Sequence, residues 1–137
     1  MIRKGKFSVR TGKDLDIQDI TEKVREILQE TGVEDGIVNV FVKGSTASIS
    51  TMEFEPNLKK DIENALERIA PSDMEYEHHK TWGDFNGKSH VRAALVGPSI
   101  SVPIRNGELV LGEWEQIVLL DFDTEARERE IFVTVLG

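Results

Sequence analysis

The sequence predicts an α+β fold, and three observations carry that reading. Apolar residues alternate, or run in short β-branched blocks, through segments at both ends and the middle of the chain. Two intervening stretches instead repeat their apolar residues at helical spacing. The dipeptide Asn106-Gly107 sits between two β-like arms, where a tight hairpin turn needs positive φ at both positions. Strands and helices group rather than alternate strictly, and the last four strands follow one another, which predicts an antiparallel meander.

In order along the chain, "KGKFSVR" (4–10) places Phe7 and Val9 on one side of a first strand. Ile17, Ile20, Val24, Ile27 and Leu28 then fall at helical spacing, with a helix expected over about 21–30. Thr21 is expected to cap its start and Gly32 to end it. "GIVNVFVKG" (36–44) and "STASISTMEF" (45–54) read as strands. Leu58, Ile62, Ala65, Leu66 and Ile69 form the stripe of a second helix over about 57–69, with Asn57 as its cap and Pro71 as its stop. A short helix is expected over 89–98, capped by Ser89 and closed by Gly97 and Pro98. "SISVPIRNGELVLG" forms the hairpin, and "EQIVLLDFD" and "EIFVTVLG" supply the last strands. With 137 residues and no repeat or linker, one domain over 1–137 is expected.

Composition narrows the function. The net charge of −8 and the lack of a dense basic run argue against nucleic acid as a partner. No apolar run approaches a membrane span. The N-terminal segment lacks the pattern of a secretory signal, so a cytoplasmic protein is expected. Without cysteine there is neither disulfide nor thiolate chemistry.

All three histidines, His78, His79 and His90, lie in "EHHKTWGDFNGKSH". Neutral imidazole is the commonest protein metal ligand. His78 and His90, with a carboxylate from Glu53, Glu55, Glu77 or Asp84, would suit Zn²⁺ or a similar ion with an open position. The spacing is not HExxH, and surface histidines in a loop fit the same residues. Gly44-Ser45-Thr46 offers backbone N–H groups and hydroxyls to a phosphate, but it lacks a P-loop ending and also reads as a turn between strands. The helix start at Ser89 and His90 could receive an anion. Arg92, about 200° round the helix from His90, should face elsewhere. Trp114 reads as core or interface packing.

Three blocks together resemble the YjbQ-like family. They are "STASISTMEFEP" with "DIENALERIAP", then "YEHHKTWGDFNGKSHVRAALVGPS", then "SISVPIRNGELVLGEWEQIVLLDFD". The resemblance spans nearly the whole chain. It implies an antiparallel β-sandwich or barrel-like core, a homotrimer, and a cleft with a metal or anion site near the subunit interface. It also implies a secondary thiamine-phosphate synthase activity. Glu53, His78 and His90 match the family's glutamate and two histidines; Ser45, Thr46 and Ser48 match its hydroxyl block. Many members carry a histidine where this chain has Gly44, a loss that His79 or Asp84 would have to replace.

These residues frame two expectations. One is an enzyme that joins a pyrimidine diphosphate to a thiazole phosphate. In it His78, His90 and Glu53 serve as catalytic groups and ligands of a divalent Zn²⁺ or Mg²⁺, while Ser45, Thr46, Ser89 and Arg105 bind the phosphorylated small molecule. The other is a non-catalytic trimer that binds a metabolite or metal. Hydrolysis by a metal-bound water is a third chemistry, for which no residue selects a substrate.

Overall fold

The computed structural model describes residues 1–137 as twelve elements. These are β1 (Ile2–Thr11), β2 (Asp16–Asp19), α1 (Thr21–Thr31), β3 (Gly36–Val42), β4 (Ala47–Glu53), α2 (Pro56–Ile69), α3 (His79–Trp82), α4 (Gly87–Val96), β5 (Ser99–Arg105), β6 (Glu108–Leu109), β7 (Glu115–Asp121) and β8 (Arg127–Leu136). All strand pairs are antiparallel, in a five-stranded sheet ordered β1-β8-β3-β5-β6 and a three-stranded sheet ordered β2-β7-β4. The sheets curl toward each other as a half-barrel.

The main core fills the space between the sheets. Val38, Val40 and Val42 of β3 and Ile131, Val133 and Val135 of β8 meet Val24 and Leu28 of α1 there. Strand β7 explains the run "IVLL". Ile117 and Leu119 face this core, while Val118, Leu120 and Phe122 face a second cluster with Leu66 of α2 and Ala93 of α4. A strand buried on both faces reads as continuous rather than alternating apolar sequence.

The predicted α+β class holds, but the meander does not. β5 and β6 form the hairpin, with Asn106 at φ 53° and Gly107 at φ 76°. β7 leaves for the other sheet, and β8 inserts between β1 and β3. Long-range pairing lets two core faces close on each other, whereas a meander would leave one open.

Three expected caps also differ. Thr21 is the first residue of α1 and is buried, donating its hydroxyl to Asp19 at 2.6 Å and accepting the Ile117 N–H at 2.9 Å. Glu55 rather than Asn57 caps α2, its carboxylate accepting the N–H groups of Asn57 and Leu58 at 2.9 and 2.7 Å. α4 begins two residues before Ser89. Ile17, assigned to the helix stripe, belongs to β2, and His79–Trp82 forms an additional single turn. Trp114 is 68% exposed and so takes no part in the core.

Candidate functional site

α4 holds one wall of the site, and its inward face is bolted down by polar contacts. Ser89 donates to the Phe122 carbonyl at 2.5 Å, and Ser48 donates to the Ala93 carbonyl at 3.2 Å. Arg92 is buried and donates from Nε and Nη2 to the Ala70 carbonyl at the end of α2, and from Nη2 to Glu67 at 2.9 Å. Arg92 therefore faces inward and His90 outward, as the helical spacing predicts. These anchors fix the position from which His90 projects.

His90 lines a cavity of about 400 Å³ with Gly44, Ser45, Ala47 and Pro98 among its walls. The His78 ring lies on the His90 ring, with centroids 4.5 Å apart and planes tilted by 40°. His78 Nδ1 is buried without a hydrogen-bond partner and stands 3.6 Å from Asp84 Oδ1. The Asn86 carboxamide, with its nitrogen turned toward Asp84, reaches both carboxylate oxygens at 2.9 and 3.3 Å. The result is an Asn86–Asp84–His78–His90 chain, in which a braced carboxylate stands beside the first imidazole.

His79 plays a different part. Its Nε2 accepts the Gly87 N–H at 3.4 Å, and its ring packs between Tyr76 and Phe85. Tyr76 in turn donates its hydroxyl to the Pro71 carbonyl at 2.7 Å. This packing ties the loop to the start of α4.

The structure brings His78, His90 and Ser45 to one region, and not the rest of the expected set. Glu53 ends β4 opposite Glu115, six residues from Ala47, which is about 20 Å at roughly 3.4 Å per residue. Arg105 ends β5 at the hairpin, equally far from the Pro98 end. No three His, Cys, Asp or Glu side chains of one chain are placed to share a cation. A zinc site needs three protein ligands or more, so His78, His90 and Glu53 do not fit one within a single subunit. Ser45 is exposed with a free hydroxyl. Thr46 and Ser89 are buried, and their hydroxyl protons are donated inside the protein.

Behind the Gly44-Ser45-Thr46 turn lies a buried ionic network that the sequence reading missed. Arg129 makes a two-pronged contact with Asp121, from Nε at 2.6 Å and Nη2 at 2.9 Å. Nη2 also donates to the Thr46 hydroxyl at 2.6 Å, which donates on to Asp123 at 2.9 Å. Thr11 donates to Asp121 at 2.6 Å, and Arg127 donates to Asp123 at 3.0 Å. Burial pushes the Asp123 carboxyl up, but donation from Thr46, the Glu125 N–H and Arg127 outweighs it and holds the group below the usual carboxylate range. Strand parity was the available signal. Arg129 shares the inward side with Ile131 and Val133, and Asp121 shares it with Ile117 and Leu119.

The chain as a whole is similar to several known proteins. The sequence model for UPF0047, YjbQ-like, matches residues 5–137. A UPF0047 protein of Methanothermobacter thermautotrophicus is 40% identical over 94% of this chain and 88% of its own length. The UPF0047 protein YugU of Bacillus subtilis is 32% identical over 96% of this chain and 97% of its own. Among solved structures, a protein of unknown function from Sulfolobus solfataricus superposes with a TM-score of 0.94 at 31% identity, covering 100% of this chain and 98% of the other. A YjbQ/UPF0047 protein of Clostridium acetobutylicum superposes with a TM-score of 0.87 at 34% identity, covering 96% and 98%.

Proposed function

Because the chain belongs to the YjbQ-like UPF0047 family, we propose that it is a small-molecule enzyme whose phosphorylated substrate enters the His90 cavity, with thiamine-phosphate synthase side activity. One observation carries this reading: the His90 ring, stacked on His78, and the exposed Ser45 hydroxyl border one cavity. In the reaction a C–N bond forms between thiazole and pyrimidine as the C–O bond to diphosphate breaks, and pyrophosphate leaves with the electron pair. Stabilising that departing charge is the main task of such a site. His90 and His78 are the groups assigned to it as hydrogen-bond donors, Ser45 binds a phosphoryl oxygen, and Asp84 orients His78.

A divalent cation belongs to this proposal as the companion of the diphosphate, since Mg²⁺ is held largely through substrate phosphates and water. Within one chain, His78 and His90 are the imidazoles that would face such a diphosphate-bound cation. Glu53 and Arg105 would join only from a neighbouring subunit of a homotrimer. The outer face of the five-stranded sheet supports such an assembly. Ile37 and Phe41 are exposed there, Phe132 lies beside Phe41, and Arg105 shares the face.

The test is turnover of the pyrimidine diphosphate and thiazole phosphate by purified protein with Mg²⁺. Activity that His90→Ala removes is expected; product formation no faster than in a mock purification would overturn the reading. Light scattering should give three times the 15.4 kDa chain mass. A second reading, a metabolite-binding trimer without catalysis, draws on the lack of three side chains in one chain placed to share a cation. It predicts a ligand-dependent rise in Tm with no product.

A further inference from the structure

Arg129 is a guanidinium with one arm unused. It is 7% exposed, its Nε and Nη2 are taken by Asp121 and Thr46, and Nη1 makes no hydrogen bond within the chain. Nη1 is not among the fully buried unpaired side-chain atoms, which are His78 Nδ1 and His79 Nδ1, so it is not sealed off from its surroundings. The space that Nη1 occupies exists because residue 44 is glycine. A Cβ at Gly44 would stand 2.7 Å from Nη1, closer than side-chain carbons approach other atoms, and Gly44 adopts φ +131°, which favours glycine. Gly44 and Ser45 are also walls of the His90 cavity.

We propose that Gly44 is a window through which Arg129 Nη1 binds an anionic oxygen, phosphoryl or carboxylate, of a small molecule held in the His90 cavity. The inference rests on the reading of that cavity as a ligand site and names the group that holds the anion. Each aspartate of the network is matched by an arginine, Asp121 by Arg129 and Asp123 by Arg127. The network is near neutral, so the anion is held by directed N–H donors rather than by a strong field, with Ser45 and His90 completing the contacts. Asp121 grips the Nε–Nη2 edge of the guanidinium and fixes its plane, which aims the remaining Nη1 donor at a single oxygen of the ligand.

The test follows the side-chain and backbone amide signals of the ¹⁵N-labelled full chain by NMR during titration with inorganic phosphate and, separately, with acetate. Saturable shifts of the Arg129 guanidinium, Gly44 and Ser45 with either anion are expected, and the two titrations show which oxygen is preferred. Gly44→Ala, whose methyl group takes the space in front of Nη1, should weaken binding at least about tenfold, the usual effect of losing a charge-assisted hydrogen bond. If anions shift Ser45 and His90 but leave Arg129 still, and Gly44→Ala binds as tightly, the window is wrong while the cavity reading stands. If no signal near the cavity moves, both fall. Should Gly44→Ala fail to fold, the Arg129 shifts in the unmodified protein decide alone.

Discussion

Two polar clusters lie on either side of the Gly44 turn. In the Asp121–Arg129 cluster, both buried carboxylates are matched at 2.6–3.0 Å by donors from four residues, Thr11, Thr46, Arg127 and Arg129. In the His78–His90 cluster, the rings are half-buried, Nδ1 of His78 lacks a partner, and the nearest carboxylate is 3.6 Å away. Matched buried charge locks three strand ends and the Thr46 turn into one arrangement. The His90 ring and the exposed Ser45 hydroxyl, which border the cavity, are available to something outside the chain. The contrast separates residues that hold the site from residues that use it.

The largest expected effect comes from breaking the matched cluster. Arg129→Ala leaves the Asp121 carboxylate buried and unpaired and should destabilise the protein by about 3–5 kcal/mol in urea unfolding. A loss below about 1 kcal/mol would mean that water already reaches this network and that the contrast is overstated. A serine pair sharpens the same point at smaller scale. Ser89→Ala removes a buried donor from the Phe122 carbonyl and should cost about 1–3 kcal/mol. Ser45→Ala, at an exposed hydroxyl, should stay within about 0.5 kcal/mol while weakening phosphate binding. His78→Ala and His90→Ala belong with Ser45. Thermal melts should shift by only a few degrees, with the loss confined to ligand binding or turnover.

Sequence made the local half of this comparison readable and hid the non-local half. The Asn106-Gly107 turn and the apolar stripes of α1 and α2 are set by neighbours within a few residues, so spacing reveals them. The histidines drew notice because all three fall in one stretch. Which strand pairs with which depends on contacts across the whole chain, such as Thr11 opposite Arg127 in the register of β1 with β8. Asp121, Asp123 and Arg129 lie in a charge-rich stretch, and it takes that pairing to turn them inward. Glu53 shows the reverse error. Nearness in a family motif suggests a shared site, while the length of β4 carries it away from the histidines in a single chain.

Arg92 extends the comparison to a pair that is matched but only half shielded. Its partner Glu67 is held at a pKa of about 2, chiefly by the Ser72 hydroxyl and backbone N–H acting against burial, with Arg92 adding a lesser share. Relative to the ordinary carboxylate value of 4.5, this depression stabilises the folded state fully above about pH 4.5, and the contribution is lost as pH falls toward about 2. The Glu67 side chain is 42% exposed, so solvent screening limits the effect to about 1 kcal/mol or less. Unfolding free energies of the wild type and Glu67→Gln should therefore converge between pH 4.5 and 2, the wild type losing its advantage as Glu67 takes up a proton. Parallel curves across that window would show that the contacts from Ser72 and Arg92 are too exposed to couple protonation to folding. The α2–α4 bolt beneath His90 would then rest on the buried bonds from Arg92 to the Ala70 carbonyl alone.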